Sequence, residues 1–254
     1  MASSVVELLG QMSAPRREAL FAQEPRRAAD WVYAAAIAGL PRAQVCYGRM
    51  LLEGTGVAKN PAGAFEWFKR AALQGDSDAI NMAGRCLDNG WGADEDPAAA
   101  AAFFQRAADA GHAWAQYNLA HMYLDGRGVA RDWRQAYGYY AKAAGQGHER
   151  AMNLLGRCCE QGWGTARDAS AAAGWYRRSA EGGYFRGQYN WASVLLTEGR
   201  CAEAAHWLEQ AAAGGTRAVR CAVLTLLARA PAADVLQDLA ARLEGRDPRP
   251  RRCS

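Results

Sequence analysis

Residues 115–150 read AQYNLAHMYLDGRGVARDWRQAYGYYAKAAGQGHER, and the spacing within this stretch decides the fold. Leu119, Met122 and Tyr123, and then Tyr137, Tyr140, Ala141 and Ala144, recur as they would along one face of a helix. Gly126-x-Gly128 separates the two runs where a turn is required. Gly147 closes the second run, where a helix C-terminus favours a left-handed residue. The stretch therefore predicts two helices joined by a tight turn.

The same signals return on either side of it. A bulky aromatic stands at Trp31, Trp67, Phe103, Tyr139 and Trp175, each 36 residues after the last, and a glycine follows eight residues later at Gly39, Gly75, Gly111, Gly147 and Gly183. The turn signature recurs as Gly54-x-Gly56, Gly90-x-Gly92 and Gly162-x-Gly164. Small pairs at Ala35-Ala36, Ala71-Ala72, Ala107-Ala108, Ala143-Ala144 and Ser179-Ala180 let neighbouring helices approach closely. A fixed period of this kind is the mark of a repeat architecture, here an all-α array of antiparallel helix pairs. A final copy from Gly187 is four residues shorter at its turn, because Trp207 and Gly215 arrive 32 residues after Trp175 and Gly183.

The expected organisation is N-terminal helices with a partial repeat over 1–42 and full repeats over 43–78, 79–114, 115–150 and 151–186. A shortened repeat over 187–218, capping helices over 219–244 and a basic disordered tail over 245–254 complete it. The caps are the runs 217–229 and 232–244 on either side of Pro231, supplying the more polar outer surface that terminal repeats need.

Composition narrows the function classes. Half of the 254 residues are hydrophobic, and eight prolines stand against 27 glycines, as suits packed helices. The net charge is +4, of which residues 245–254 hold +3, so the body carries about +1 and no concentrated basic face for nucleic acid. No apolar run approaches the ~18 residues of a membrane span. The start, MASSVVELLG, does not read as a secretory signal. Seven cysteines without a CxxC pair, two of them adjacent at Cys158 and Cys159, point to a reducing cytoplasm. The high Ala and Arg content points to a bacterial source.

Searching for chemistry returns no HExxH, no phosphate-binding glycine loop and no GxSxG elbow, so no catalytic residue, metal site, cofactor or small-molecule substrate is assigned. His112 and His148 share one position after the helix-ending glycine and are read as parts of the turn, and His206 beside Trp207 is read as structural. Cys86, Cys158 and Cys159 stand where other copies carry apolar residues and are read as buried thiols. Asp94, Glu95 and Asp96 lack the spaced ligands of a calcium loop, and Asp96 before Pro97 reads as a helix N-cap.

On these residues the chain resembles the Sel1-like repeat family, relatives of the tetratricopeptide repeats, over roughly residues 24–218. The departures are Trp91 and Trp163 in the turns and the shortened last copy. The resemblance implies a right-handed superhelical α-solenoid whose concave groove, lined by the first helix of each pair, serves as a scaffold or adaptor for protein partners. Secreted members linked to β-lactam hydrolysis carry a regular cysteine pair per repeat, which this chain lacks; a hydrolase is the alternative by that analogy. Nucleic-acid binding through the arginine-rich tail is another.

Given that geometry, the groove positions are the third and seventh residues of each first helix, four apart and so on one face. The third positions are Val45, Asn81, Tyr117, Asn153 and Tyr189; the seventh are Arg49, Arg85, His121, Arg157 and Ser193. Of these Arg49, Asn81, Arg85, Tyr117, His121, Asn153, Arg157 and Tyr189 are the candidate peptide-binding residues. Asn bonds a peptide backbone and Arg forks onto a carboxylate, so the expected ligand is an acidic or carboxylate-ended segment. The competing reading is that these arginines simply solubilise a helix surface. Trp91 and Trp163 form a separate possible patch, or pack against the next hairpin.

Overall fold

The computed structural model describes residues 22–230 and 233–245, and among them all regular structure is helical. The chain divides into two compact units, 1–131 and 132–254. The first holds α1 (Pro25–Ile37), α2 (Pro41–Glu53), α3 (Pro61–Leu73), α4 (Ser77–Asn89), α5 (Pro97–Asp109) and α6 (Ala113–Asp125). The second holds α7 (Trp133–Gly145), α8 (Glu149–Gln161), α9 (Ala169–Glu181), α10 (Phe185–Thr197), α11 (Cys201–Gly214), α12 (Arg217–Arg229) and α13 (Asp234–Gly245). Within each unit, consecutive helices pack on one another.

The period has a simple physical origin. Two helices of 13 residues, a link of three and a turn of seven close one repeat, as α3, α4 and the residues up to Pro97 show. Each seven-residue turn begins with a left-handed glycine: Gly90 at φ 66° ends α4, and its N–H returns to the Cys86 carbonyl. The second helix then starts on a capping side chain, and Asp96 takes the amide of Ala99 at 2.9 Å. First helices α6 and α8 begin on His112 and His148, whose Nδ1 atoms accept from Ala115 and Ala151 at 3.1 Å. An accepting Nδ1 places the ring proton on Nε2, and in His112 that nitrogen faces Asp78 Oδ1 at 2.9 Å. In the last copy α10 and α11 are separated by three residues only, which is where the four missing residues were lost.

Glycines in the first helices let aromatic rings lie flat on the backbone. A Cβ on Gly48 would stand 2.5 Å from the Phe68 ring, one on Gly84 2.8 Å from Phe104, and one on Gly156 2.7 Å from Tyr176. Around these contacts the small pairs are almost wholly buried, with Ala71, Ala107 and Ala143 at 0 % exposure. In the second unit the core runs on through Leu195, Leu208, Val223 and Leu227 to Leu236, Leu239 and Leu243, so α12 and α13 close it with apolar faces turned inward. The last helix ends at Gly245, one residue into the expected tail. Residues 246–254 lie outside the described residues, as do 1–21, so the readings of the tail and of the N-terminal segment fall there too.

Candidate functional site

In the first unit, Gly90 takes up its left-handed conformation and lets the Trp91 amide bond Cys86 O at 2.9 Å. The chain is thereby folded back over the last turn of α4. The Trp91 ring then lies beside Arg85, whose guanidinium carbon is 5.1 Å from the ring centroid. The second unit repeats the arrangement 72 residues on. Gly162 is left-handed, Trp163 N–H bonds Cys158 O at 3.0 Å, and the Arg157 guanidinium lies 5.3 Å from the Trp163 ring. Arg85 and Arg157 and the turn tryptophans, separate features in the sequence, are thus one feature in each unit. Cation–π contact of this kind is worth ~0.5–1 kcal/mol at exposed sites, enough to favour this pose of the arginine a few-fold over others.

Asn81 and Asn153 depart from expectation. Both are buried, at 5 % and 3 % exposure, and their side-chain oxygens accept from Asn118 Nδ2 at 3.0 Å and Asn190 Nδ2 at 2.7 Å. Each is a rung between successive first helices, α4 to α6 and α8 to α10, and has little surface left for a peptide backbone. Val45 is buried as well. Arg49 is exposed, with Asp78 at 3.9 Å. Tyr189 is half-buried against the core, and its carbonyl accepts from Ser193 Oγ at 3.0 Å.

Tyr117 and His121 do come together, with ring centroids 4.7 Å apart. Trp114, which sequence reasoning passed over, adds a third ring 5.9 Å from Tyr117 and is 42 % exposed. The signal was present: Trp114, Tyr117 and His121 follow one another along one face of α6.

Beside His121 opens a cavity of about 240 Å³ lined by Asp88, Asn118, His121, Met122, Asp125 and Arg127. Burial pushes the Asp88 carboxyl above the usual carboxylate range, and Arg127, 3.4 Å from its Oδ1, opposes this without cancelling it. Arg127 also donates to the Asp88 carbonyl. Cys86, Cys158 and Cys159 stand as buried thiols, and burial raises Cys86 and Cys158 to about 12. Among the described residues no group of three or more His, Cys, Asp or Glu is placed to hold a metal ion, and no helix is long and apolar enough to cross a membrane.

Comparison with known proteins follows the same architecture. A model described as Sel1 repeat matches residues 41–76, 77–112, 115–148, 149–184 and 186–216. A Sel1 repeat protein from Oxalobacter formigenes has a similar structure, with TM-score 0.78 and 24 % identity over 92 % of this chain and 98 % of that one. The protective antigen c5321 of uropathogenic Escherichia coli, which displays an SLR fold, aligns at TM-score 0.70 and 27 % identity over 87 % of this chain. This chain spans 50 % of that antigen's length. A Sel1 repeat protein from Klebsiella pneumoniae aligns at TM-score 0.52 and 20 % identity over 85 % of this chain and 99 % of that one. No curated protein matches the chain.

Proposed function

The chain belongs to the Sel1 repeat family, and on that premise we propose that it is a non-catalytic scaffold which captures an acidic segment of a partner protein on its first-helix surfaces. The observation that carries this reading is the arginine held over a tryptophan in each unit, Arg85 on Trp91 and Arg157 on Trp163. A guanidinium biased towards a ring has already lost part of its rotamer entropy, so less is forfeited when it forks onto a carboxylate. Arg49, His121, Tyr117 and Tyr189 supply further contacts, while Asn81 and Asn153 keep neighbouring helices in register. Cys46, Cys86, Cys158, Cys159 and Cys201 are free thiols, as a reducing compartment favours, whereas Cys221 is disulfide-bonded.

The test is affinity capture from bacterial lysate by the wild type and by an Arg85→Glu, Arg157→Glu double variant, with retained proteins identified by mass spectrometry. Charged hydrogen bonds are worth ~1.5–3 kcal/mol each, so the variant should lose a genuine partner by well over tenfold. A partner retained equally by both would move binding away from these arginines, and nothing retained by either would sink the scaffold reading.

A further inference from the structure

The first residue of the second helix is Pro25, Pro61 and Pro97 in three copies, then Trp133, and Ala169 and Cys201 in the two after it, so Trp133 is the one large aromatic among these six. Proline suits this position because the amide it lacks has no helical partner there and its φ is already helical. Nothing in the backbone of the Trp133 copy forbids it. Asp132, at φ −146° and ψ 102°, lies near Asn60 at −145° and 83° and Asp96 at −136° and 87°, each of which precedes a proline. The Asp132 cap takes the amides of Arg134 and Gln135, not that of residue 133. The indole is not needed for the core either, since Trp133 is 44 % exposed.

Its neighbours show what it adds. The turn after α8 presses onto the start of α7 so closely that a Cβ on Gly164 would stand 2.1 Å from the Trp133 carbonyl oxygen. That approach sets the Trp133 and Trp163 rings 6.4 Å apart at 38°, and Arg157 lies over Trp163. Arg157 is exposed and makes no ion pair among the described residues. Two indoles and one free guanidinium thus form a continuous strip within the second unit.

We propose that this strip binds an acidic, proline-containing extended segment of a partner protein. The inference rests on the scaffold reading above and narrows it to one site and one ligand chemistry. Adjacent indoles offer the flat apolar surface on which proline rings dock, and a polyproline-type segment arrives with little conformational entropy to lose. A carboxylate beside the proline meets Arg157 through a forked contact. Bases also stack on tryptophan, but a phosphate backbone needs several cations along its path. Arg157 over Trp163 meets one carboxylate but gives a phosphate backbone no such path.

The experiment uses the full chain and fluorescence anisotropy of a labelled peptide of four Glu-Pro units, with Lys-Pro and Glu-Gly peptides of equal length as comparisons and oligothymidylate as competitor. Trp133→Pro places there the residue of the three preceding copies, so its urea midpoint should match the wild type while its affinity for the Glu-Pro peptide falls about tenfold or more. Arg157→Gln should also weaken that peptide, and the Lys-Pro and Glu-Gly peptides should bind less well than it does. Unchanged affinity in folded Trp133→Pro, a preference for Lys-Pro, no Glu-Pro binding by the wild type, or efficient displacement by oligothymidylate each overturns the proposal. Retention by Trp133→Pro with loss in Arg85→Glu would end this site yet leave the scaffold reading standing.

Discussion

Replacing Gly156 with alanine drives a methyl group into the ring of Tyr176. The new Cβ would stand 2.7 and 2.8 Å from two ring carbons and 3.2 Å from the Ala172 carbonyl oxygen, well inside ordinary contact. The ring has little room to retreat, because Tyr176 is 3 % exposed and its hydroxyl donates to Glu160 Oε2 at 3.0 Å. Overpacking of this kind costs ~1–3 kcal/mol, while alanine recovers about 1 kcal/mol of helix propensity over glycine. The net expectation is a loss of up to about 2 kcal/mol. The chain itself supplies the rescue: its shortened copy carries Ala192 and Leu208 at the corresponding places, both at 0 % exposure. Tyr176→Leu alone empties the space and costs about 1–3 kcal/mol, but together with Gly156→Ala it should cost less than the sum of the two by ~1 kcal/mol or more. Urea unfolding followed by circular dichroism and tryptophan fluorescence measures all four proteins, with equal slopes required before midpoints are compared. Strict additivity, or a Gly156→Ala protein at least as stable as the wild type, would refute the packing argument.

Asn190→Ala removes the donor to buried Asn153 Oδ1 and should cost ~1–3 kcal/mol, read from the shift in urea midpoint; no shift would mean the rung carries no load. Gly92→Ala should be far more damaging than Gly75→Ala. Both are left-handed, at φ 77° and 86°, but a Cβ on Gly92 would meet the Pro61 carbonyl at 2.2 Å whereas one on Gly75 meets nothing within 4 Å. The second change should cost ~1–2 kcal/mol and the first clearly more, a ranking that thermal melts will confirm or reverse. Cys86 and Cys158 keep their protons in the folded chain to about 12 but release them from 9.0 when unfolded. Their contribution is therefore intact below pH 9 and is lost as pH climbs from 9 towards 12. A thiol reagent at pH 8 should react with them only after urea is added, and prompt reaction in the folded state would contradict their burial.

Much of the fold was legible because its signals are local. Glycine at a helix end, an aspartate before the next helix and a pair of alanines act within a few residues of where they stand, and Gly90, Asp96 and Ala107-Ala108 do in the structure what their positions announce. The site was less legible because its partners are distant or depend on chain reversal. Asn81 looks like a surface amide until Asn118, 37 residues away, is brought against it. Arg85 and Trp91 look like separate features until the left-handed glycine folds one onto the other. One clue lay in the repeat itself: Arg85–Trp91 and Arg157–Trp163 share a six-residue spacing in the two copies that carry a turn tryptophan. Trp133 was equally visible as the large aromatic at a position that holds Pro, Ala or Cys in the other copies, but its meaning depends on the ring it meets.

The turn glycines Gly56, Gly92, Gly128 and Gly164 each press on the first residue of the preceding second helix, at Pro25, Pro61, Pro97 and Trp133. Each contact runs backwards along the chain, from a later copy to an earlier one. On the ribosome this gives assembly a direction: the seat for every new turn has already emerged when the turn itself is made. Every chain long enough to contain one of these turns therefore also contains the residue on which it sits.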